Sequence, residues 1–214
     1  MNKKNKEIYQ LLSKQHPDAR PELDYRNPYE LIVAVILSAQ CTDVRVNKVT
    51  KVLFEKAPNA ETLSAMPLEE VQEIVRSCGI LRKASYIKET ATRIVEEYGG
   101  EVPGVYEELV TFPGVSRKTA NVVLSVGFGV PAIAVDTHVF RVSNRLGIAS
   151  GSTVEKVERD LMRAFDDALW NKLHHLLIFH GRYVCKSRKP ECEVCLLASY
   201  CKAYKSNKFD FKVK

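Results

Sequence analysis

The sequence predicts an all-α protein, and two observations carry that expectation. Helix caps and glycine stops recur along the whole chain of 214 residues, and the only β-like stretch, Pro131–Val135, is short enough to be extended linker. Asn27-Pro28 supplies an N-cap and a first helical residue for Tyr29–Gln40. That segment is apolar nearly all round, so it belongs at the centre of a core. Asp43 is expected to cap a helix through Lys56. Pro67, followed by Glu69 and Glu70, opens another that Gly79 closes. Lys83–Tyr98 is amphipathic and stops at Gly99-Gly100. A short helix, Val105–Val110, precedes the turn Phe112-Pro113-Gly114-Val115-Ser116, and a helix over Arg117–Gly127 follows. Asp136 stands to cap His138–Leu146, with Gly147 as the stop. Ser152 and Glu155 read as a capping box for the next helix, and Trp170–Val184 runs helically into a group of cysteines.

Composition narrows the partners. The apolar fraction of 45% leaves ample material for a core. The longest apolar run, Leu31–Leu37, is far too short to cross a bilayer, so no membrane partner is expected. Net charge is +6, and the stretch from Gly181 on, with nine Lys or Arg against three Asp or Glu, accounts for all of it. Arg182, Lys186, Arg188 and Lys189 crowd its start. A basic tail can simply be solvated, but a basic loop held rigid by a metal centre more often meets phosphate.

Cys185, Cys192, Cys195 and Cys201 follow the pattern C-x6-C-x2-C-x5-C. The start MNKKNKEIYQLL has neither the apolar core nor the small-residue cleavage site of a secretory signal, so a reducing, cytoplasmic setting is expected. There such a group is metal-binding rather than disulfide-bonded. Thiolates select zinc or iron–sulfur clusters, and the spacing alone leaves both open. Unligated core cysteines are the bland alternative.

Segment 105–127 reads helix, tight Pro-Gly turn, helix. Such a turn presents backbone N–H groups at a helix start, an anion site without sequence preference, although a plain helical hairpin explains the same pattern. Lys118 falls in the first helical turn, where the positive end of the dipole disfavours a charged amine. A neutral lysine can attack a carbon electrophile and form a Schiff base. A second glycine turn, Gly79-Ile80-Leu81-Arg82-Lys83-Ala84, echoes Gly114-Val115-Ser116-Arg117-Lys118-Thr119-Ala120. Lys83 there is expected to meet backbone or solvent. Asp136, in Val135-Asp136-Thr137-His138, is a simple N-cap on its bland reading.

Four stretches together resemble one family. Leu37-Ser38-Ala39-Gln40-Cys41-Thr42-Asp43, the run from Phe112 to Asn121, Val135-Asp136-Thr137-His138 and the cysteine spacing are similar, in order and over nearly the whole chain, to endonuclease III. These are helix-hairpin-helix DNA glycosylases with an associated lyase activity. The resemblance implies two helical domains flanking a DNA-binding cleft: a six-helix domain over 22–131 that holds the hairpin, and a cluster domain formed by 1–21 and 132–214. It implies a 4Fe–4S cluster on the four cysteines, structural or DNA-sensing and not catalytic. It implies a monomeric partner of damaged double-stranded DNA that excises oxidised or ring-saturated pyrimidines and cleaves 3′ to the abasic site by β-elimination. Matched residue by residue, Lys118 is the nucleophile and Asp136 the essential carboxylate. Gln40 fills the gap left by the flipped base, and Asp43 lines the pocket mouth. Ile80 or Leu81 is the wedge. Gly114, Val115, Ser116, Arg117 and His138 join the four basic residues as DNA contacts.

Three positions depart from the family. Ser116 replaces the second glycine of the hairpin, which would cost about 1 kcal/mol if that site needs φ > 0. The Gly79–Ala84 loop is one residue shorter. Cys41 replaces a small residue and is expected in the core. Two alternatives stay open: a relative acting on a mispaired base or a pyrimidine dimer, and a non-catalytic iron–sulfur DNA-binding protein, which would need neither Lys118 nor Asp136.

Overall fold

A computed structural model of the protein describes residues 1–79 and 81–209. Among the described residues there is no β-strand, and the helices gather into two compact units. One unit is Pro21–Val130; the other joins Met1–Arg20 to the chain from Pro131 on. Among the described residues, no helix is long and apolar enough to cross a membrane.

The Pro21–Val130 unit is built on its most apolar helix. After α1 (Lys3–Gln15) comes α2 (Pro28–Ser38), which starts where Asn27 accepts the Glu30 N–H and is buried from Tyr29 to Leu37. It packs against α3 (Asp43–Lys56), α6 (Arg82–Tyr98) and α8 (Arg117–Val122). Between them lie α4 (Ala60–Ala65), α5 (Leu68–Val75) and α7 (Tyr106–Leu109). Fully burying a Leu or Ile contributes about 1.5–3 kcal/mol, so the run Leu31–Leu37 is this unit's largest apolar anchor. Gly99 closes α6 at φ +62, the left-handed cap expected of it. Instead of one α-helix over Arg117–Gly127, α8 continues as a π-helical turn over Val123–Gly127.

Two expected caps move by one residue. Thr42, not Asp43, caps α3, because its hydroxyl reaches the Arg45 N–H at 3.3 Å. Asp43 becomes the first helical residue, where its charge still favours the positive end of the helix.

The other unit surrounds Ile8 and Leu12 of α1 with α9 (Thr137–Leu146), α10 (Val154–Ala164) and α11 (Trp170–Tyr183). α12 (Lys202–Ser206) closes it through Ala203. Thr153, not Ser152, caps α10 by accepting the Lys156 N–H. Pro131–Val135 is extended without a strand partner, and its Ala134 carbonyl is hydrogen-bonded to His174 Nδ1 at 2.8 Å.

Candidate functional site

The hairpin turn is fixed by what it buries. Phe112 and Val115 are 2% and 7% exposed and anchor it from below. Gly114 sits between them at φ +76, and a Cβ there would come within 2.8 Å of Tyr86 Cδ2. Conformation and packing therefore both require glycine. Ser116 is extended, at φ −84, and its hydroxyl caps α8 by accepting the Thr119 N–H at 3.3 Å. The serine consequently carries no positive-φ strain in place of the family's glycine. Val115 is buried and belongs to the core of this unit. Arg117 stacks 5.5 Å from the Tyr106 ring centroid and donates to its hydroxyl.

The two glycine-turn lysines differ sharply. Lys83 is 4% exposed, and its ammonium donates to the carbonyls of Leu37 (2.9 Å), Ala39 (2.5 Å) and Cys78 (2.7 Å). Lys118 is half-buried, and among the described residues its ammonium has no hydrogen-bond or ion-pair partner.

Gln40 is exposed in the turn after α2 and has φ +56, a left-handed conformation unusual for a residue other than glycine, asparagine or aspartate. Asp43 is half-buried at the start of α3. Leu81 is 63% exposed ahead of α6, and Ile80 lies outside the described residues. Cys41 is half-buried rather than in the core, and its thiol hydrogen-bonds the buried Cys78. Burial, then that contact, pushes the Cys78 thiol up to about 12.

In the other unit, Asp136 is half-buried and caps α9, its Oδ1 accepting the Val139 N–H at 2.8 Å. His138, two residues on, accepts from Arg141 Nη2 at its Nδ1 (3.2 Å).

Cys185, Cys192, Cys195 and Cys201 line one pocket, partly open to solvent. Among the described residues, no three His, Cys, Asp or Glu side chains are set to hold a single metal ion. Four soft donors ringing a common space fit a polynuclear thiolate-bound centre better than one tetrahedral ion. Burial pushes the Cys195 thiol up to about 11 and raises Cys192 and Cys201 as well; charge on neighbouring cysteines adds to it. A cationic centre reverses that penalty by holding the sulfurs as thiolates.

Two arginines that the sequence reading missed shape this loop. Arg145 is 2% exposed and donates to the Phe209 (2.9 Å), Lys186 (2.8 Å) and Ser187 (2.8 Å) carbonyls and to Cys185 Sγ at 3.5 Å. Arg141 donates to the carbonyls of Gly181 (2.9 Å) and Cys185 (3.2 Å). Their signal was present in the sequence: two arginines four apart, on one face of the helix that Asp136 caps. His180, 1% exposed, joins Cys195 Sγ (3.6 Å) to His16 (3.1 Å), and burial drives it down to about 3, so it is neutral. Of the four basic candidates, Lys186 is tied to Glu191 at 2.5 Å, and Arg182 is half-buried and engaged. Arg188 and Lys189 are exposed and, among the described residues, unpaired.

Comparison with known proteins gives two family matches. Residues 33–167 match the HhH-GPD superfamily of base excision DNA repair proteins, and residues 185–201 match the iron-sulfur binding domain of endonuclease III. Endonuclease III of Bacillus subtilis is 55% identical over 87% of this chain and 86% of that protein. Endonuclease III of Escherichia coli K12 is 43% identical over 94% of this chain and 96% of that protein. A solved structure of a trapped endonuclease III–DNA covalent intermediate superposes with a TM-score of 0.88 at 49% identity, covering 97% of this chain and 99% of that one.

Proposed function

The chain belongs to the endonuclease III family of helix-hairpin-helix base excision repair proteins, and from that premise we propose that Lys118 and Asp136 carry its chemistry on oxidised or ring-saturated pyrimidines in duplex DNA. A base excision DNA glycosylase with abasic-site lyase activity needs one amine able to attack the sugar and one carboxylate able to stand beside developing positive charge. The observation that carries the assignment is the contrast between the lysines: Lys83 has all three donors occupied by carbonyls, and Lys118 has none occupied among the described residues.

In the proposed reaction the damaged nucleotide leaves the stack, which costs least for a poorly stacked lesion. The Lys118 amine forms a bond to C1′ as the bond to the base breaks, and the base departs with a proton. Asp136 stabilises the positive character that builds on the sugar. Ring opening converts the adduct to an imine, which acidifies the C2′ proton. Loss of that proton expels the 3′ phosphate, and hydrolysis frees Lys118. Gln40 occupies the space left in the stack, and Leu81 enters as the wedge. Gly114–Arg117, His138, Arg188 and Lys189 contact the DNA backbone. Cys185, Cys192, Cys195 and Cys201 would hold the 4Fe–4S cluster, which would brace the basic loop and supply no bond-breaking chemistry.

The test is a panel of duplexes, each with one lesion. Thymine glycol and dihydropyrimidine duplexes are expected to lose the base and then the strand without added metal. Equal rates on damaged and undamaged duplex would contradict the substrate class. A cluster protein that binds the panel and cleaves none would favour a non-catalytic role.

A further inference from the structure

We propose that Lys83 is a positioning residue for duplex DNA: its buried ammonium locks the turn that carries Gln40 to the loop that carries Leu81. This rests on the reading above, in which those two side chains occupy and open the stack.

Lys83 lies in the first turn of α6, and its three acceptors come from two places. Leu37 and Ala39 end α2, whose last carbonyls have no partner within the helix. Cys78 ends the tight 3₁₀ turn before Gly79, which bends back at φ +99. Among the described residues no carboxylate pairs with Lys83, so only carbonyl dipoles, including those at the negative end of α2, offset the cost of burying its charge. Movement of either loop would strip a carbonyl acceptor from a buried ammonium. The arrangement is therefore stiff where it meets two exposed side chains. Gln40 directly follows the Ala39 carbonyl and is held at φ +56, a conformation that persists only where its surroundings enforce it. Leu81 follows Gly79 by two residues and is 63% exposed.

Filling a stack matters only when there is an opposite strand to keep stacked. Lys83 should consequently contribute on duplex and not on single-stranded abasic DNA, whereas Lys118 is needed on both.

The experiment measures single-turnover cleavage by the full-length, cluster-loaded protein. One abasic oligonucleotide is used alone and in duplex. Lys83→Met should slow the duplex by about 10²-fold, the scale set by misplacing a group by about 1 Å, and the single strand by no more than about threefold. Adding Gln40→Ala to Lys83→Met should cost little more than the slower single variant, since residues acting through one arrangement are not additive. Equal losses on both substrates, no loss on duplex, or strict additivity with Gln40→Ala would each overturn the proposal. Should Lys83→Met not fold, Lys83→Arg makes the same comparison, because a planar fork cannot satisfy three converging carbonyls as an ammonium does. A smaller but still duplex-selective loss is expected, and its absence overturns the proposal. Single-strand cleavage by Lys118→Ala reports on the underlying reading separately: retained activity there would remove Lys118 as nucleophile whatever the Lys83 variants do.

Discussion

Two helices of the Pro21–Val130 unit begin near a glycine turn and carry a lysine in their first turn, Lys83 on α6 and Lys118 on α8. The helix starts are built differently. α8 is capped by the Ser116 hydroxyl, and its lysine is left without a partner among the described residues. α6 has no side-chain cap at Leu81, and its lysine turns inward to three carbonyls. An amine whose donors are all engaged in the interior is a structural cation. One that is half-buried and unengaged is available to a substrate. Local sequence looks alike at the two sites, and long-range packing separates them.

The largest effect expected is at the free lysine. Lys118→Ala should lower abasic-site cleavage by about 10⁴-fold or more, as removing a covalent nucleophile does, while duplex binding persists in a gel-shift assay. Cleavage near the wild-type rate would erase the distinction between the two lysines. Next is the carboxylate. Asp136→Asn should cut turnover by about 10²-fold, the scale of losing a well-placed electrostatic group. Binding should hold or tighten as a negative charge leaves. Asparagine caps a helix as well as aspartate, so the melting temperature should barely move. A large fall in melting temperature instead would make the cap Asp136's main role.

The same contrast of engaged and unengaged cations recurs at the cluster loop. Arg188→Ala and Lys189→Ala should each flatten the log–log salt dependence of binding by about 0.9 per lost phosphate contact, and Lys186→Ala, already paired with Glu191, by less. Equal slopes for all three would mean that the ion pair opens on DNA. The smallest effect is Ser116→Gly. Restoring the family's residue at an extended N-cap should change stability by only a few tenths of a kcal/mol. A large gain in denaturant melts would reveal strain that the backbone angles do not contain.

Much of the helical framework was readable because caps are local. Asn27, Asp136, Gly99 and Gly147 do what their chemistry dictates. Where two capping residues stand side by side, sequence cannot choose, since the winner is the oxygen that reaches the N–H three residues on; hence Thr42 over Asp43 and Thr153 over Ser152. The short helices α4 and α12 went unread, although Asn59 caps the first, because so few residues carry little periodicity. The four cysteines were legible as a metal-binding set from spacing, and only the resemblance chose iron–sulfur over zinc. The residues around them were not. Arg145 reaches Ser187 across 42 positions of chain and Lys83 reaches Leu37 across 46, and such contacts leave no periodic trace. Gln40's strained backbone was equally invisible, since nothing in Ala-Gln-Cys announces a positive φ.

The central claim is that Lys118, and not Lys83, forms the bond to DNA. Borohydride reduces an imine to a stable amine, so wild-type protein incubated with abasic DNA and borohydride should be trapped covalently. Proteolysis and mass spectrometry of the trapped complex then locate the modified residue without any substitution. The account predicts a sugar adduct on the peptide containing Lys118 and unmodified Lys83. An adduct on Lys83, or on any other amine with Lys118 unmodified, would contradict it.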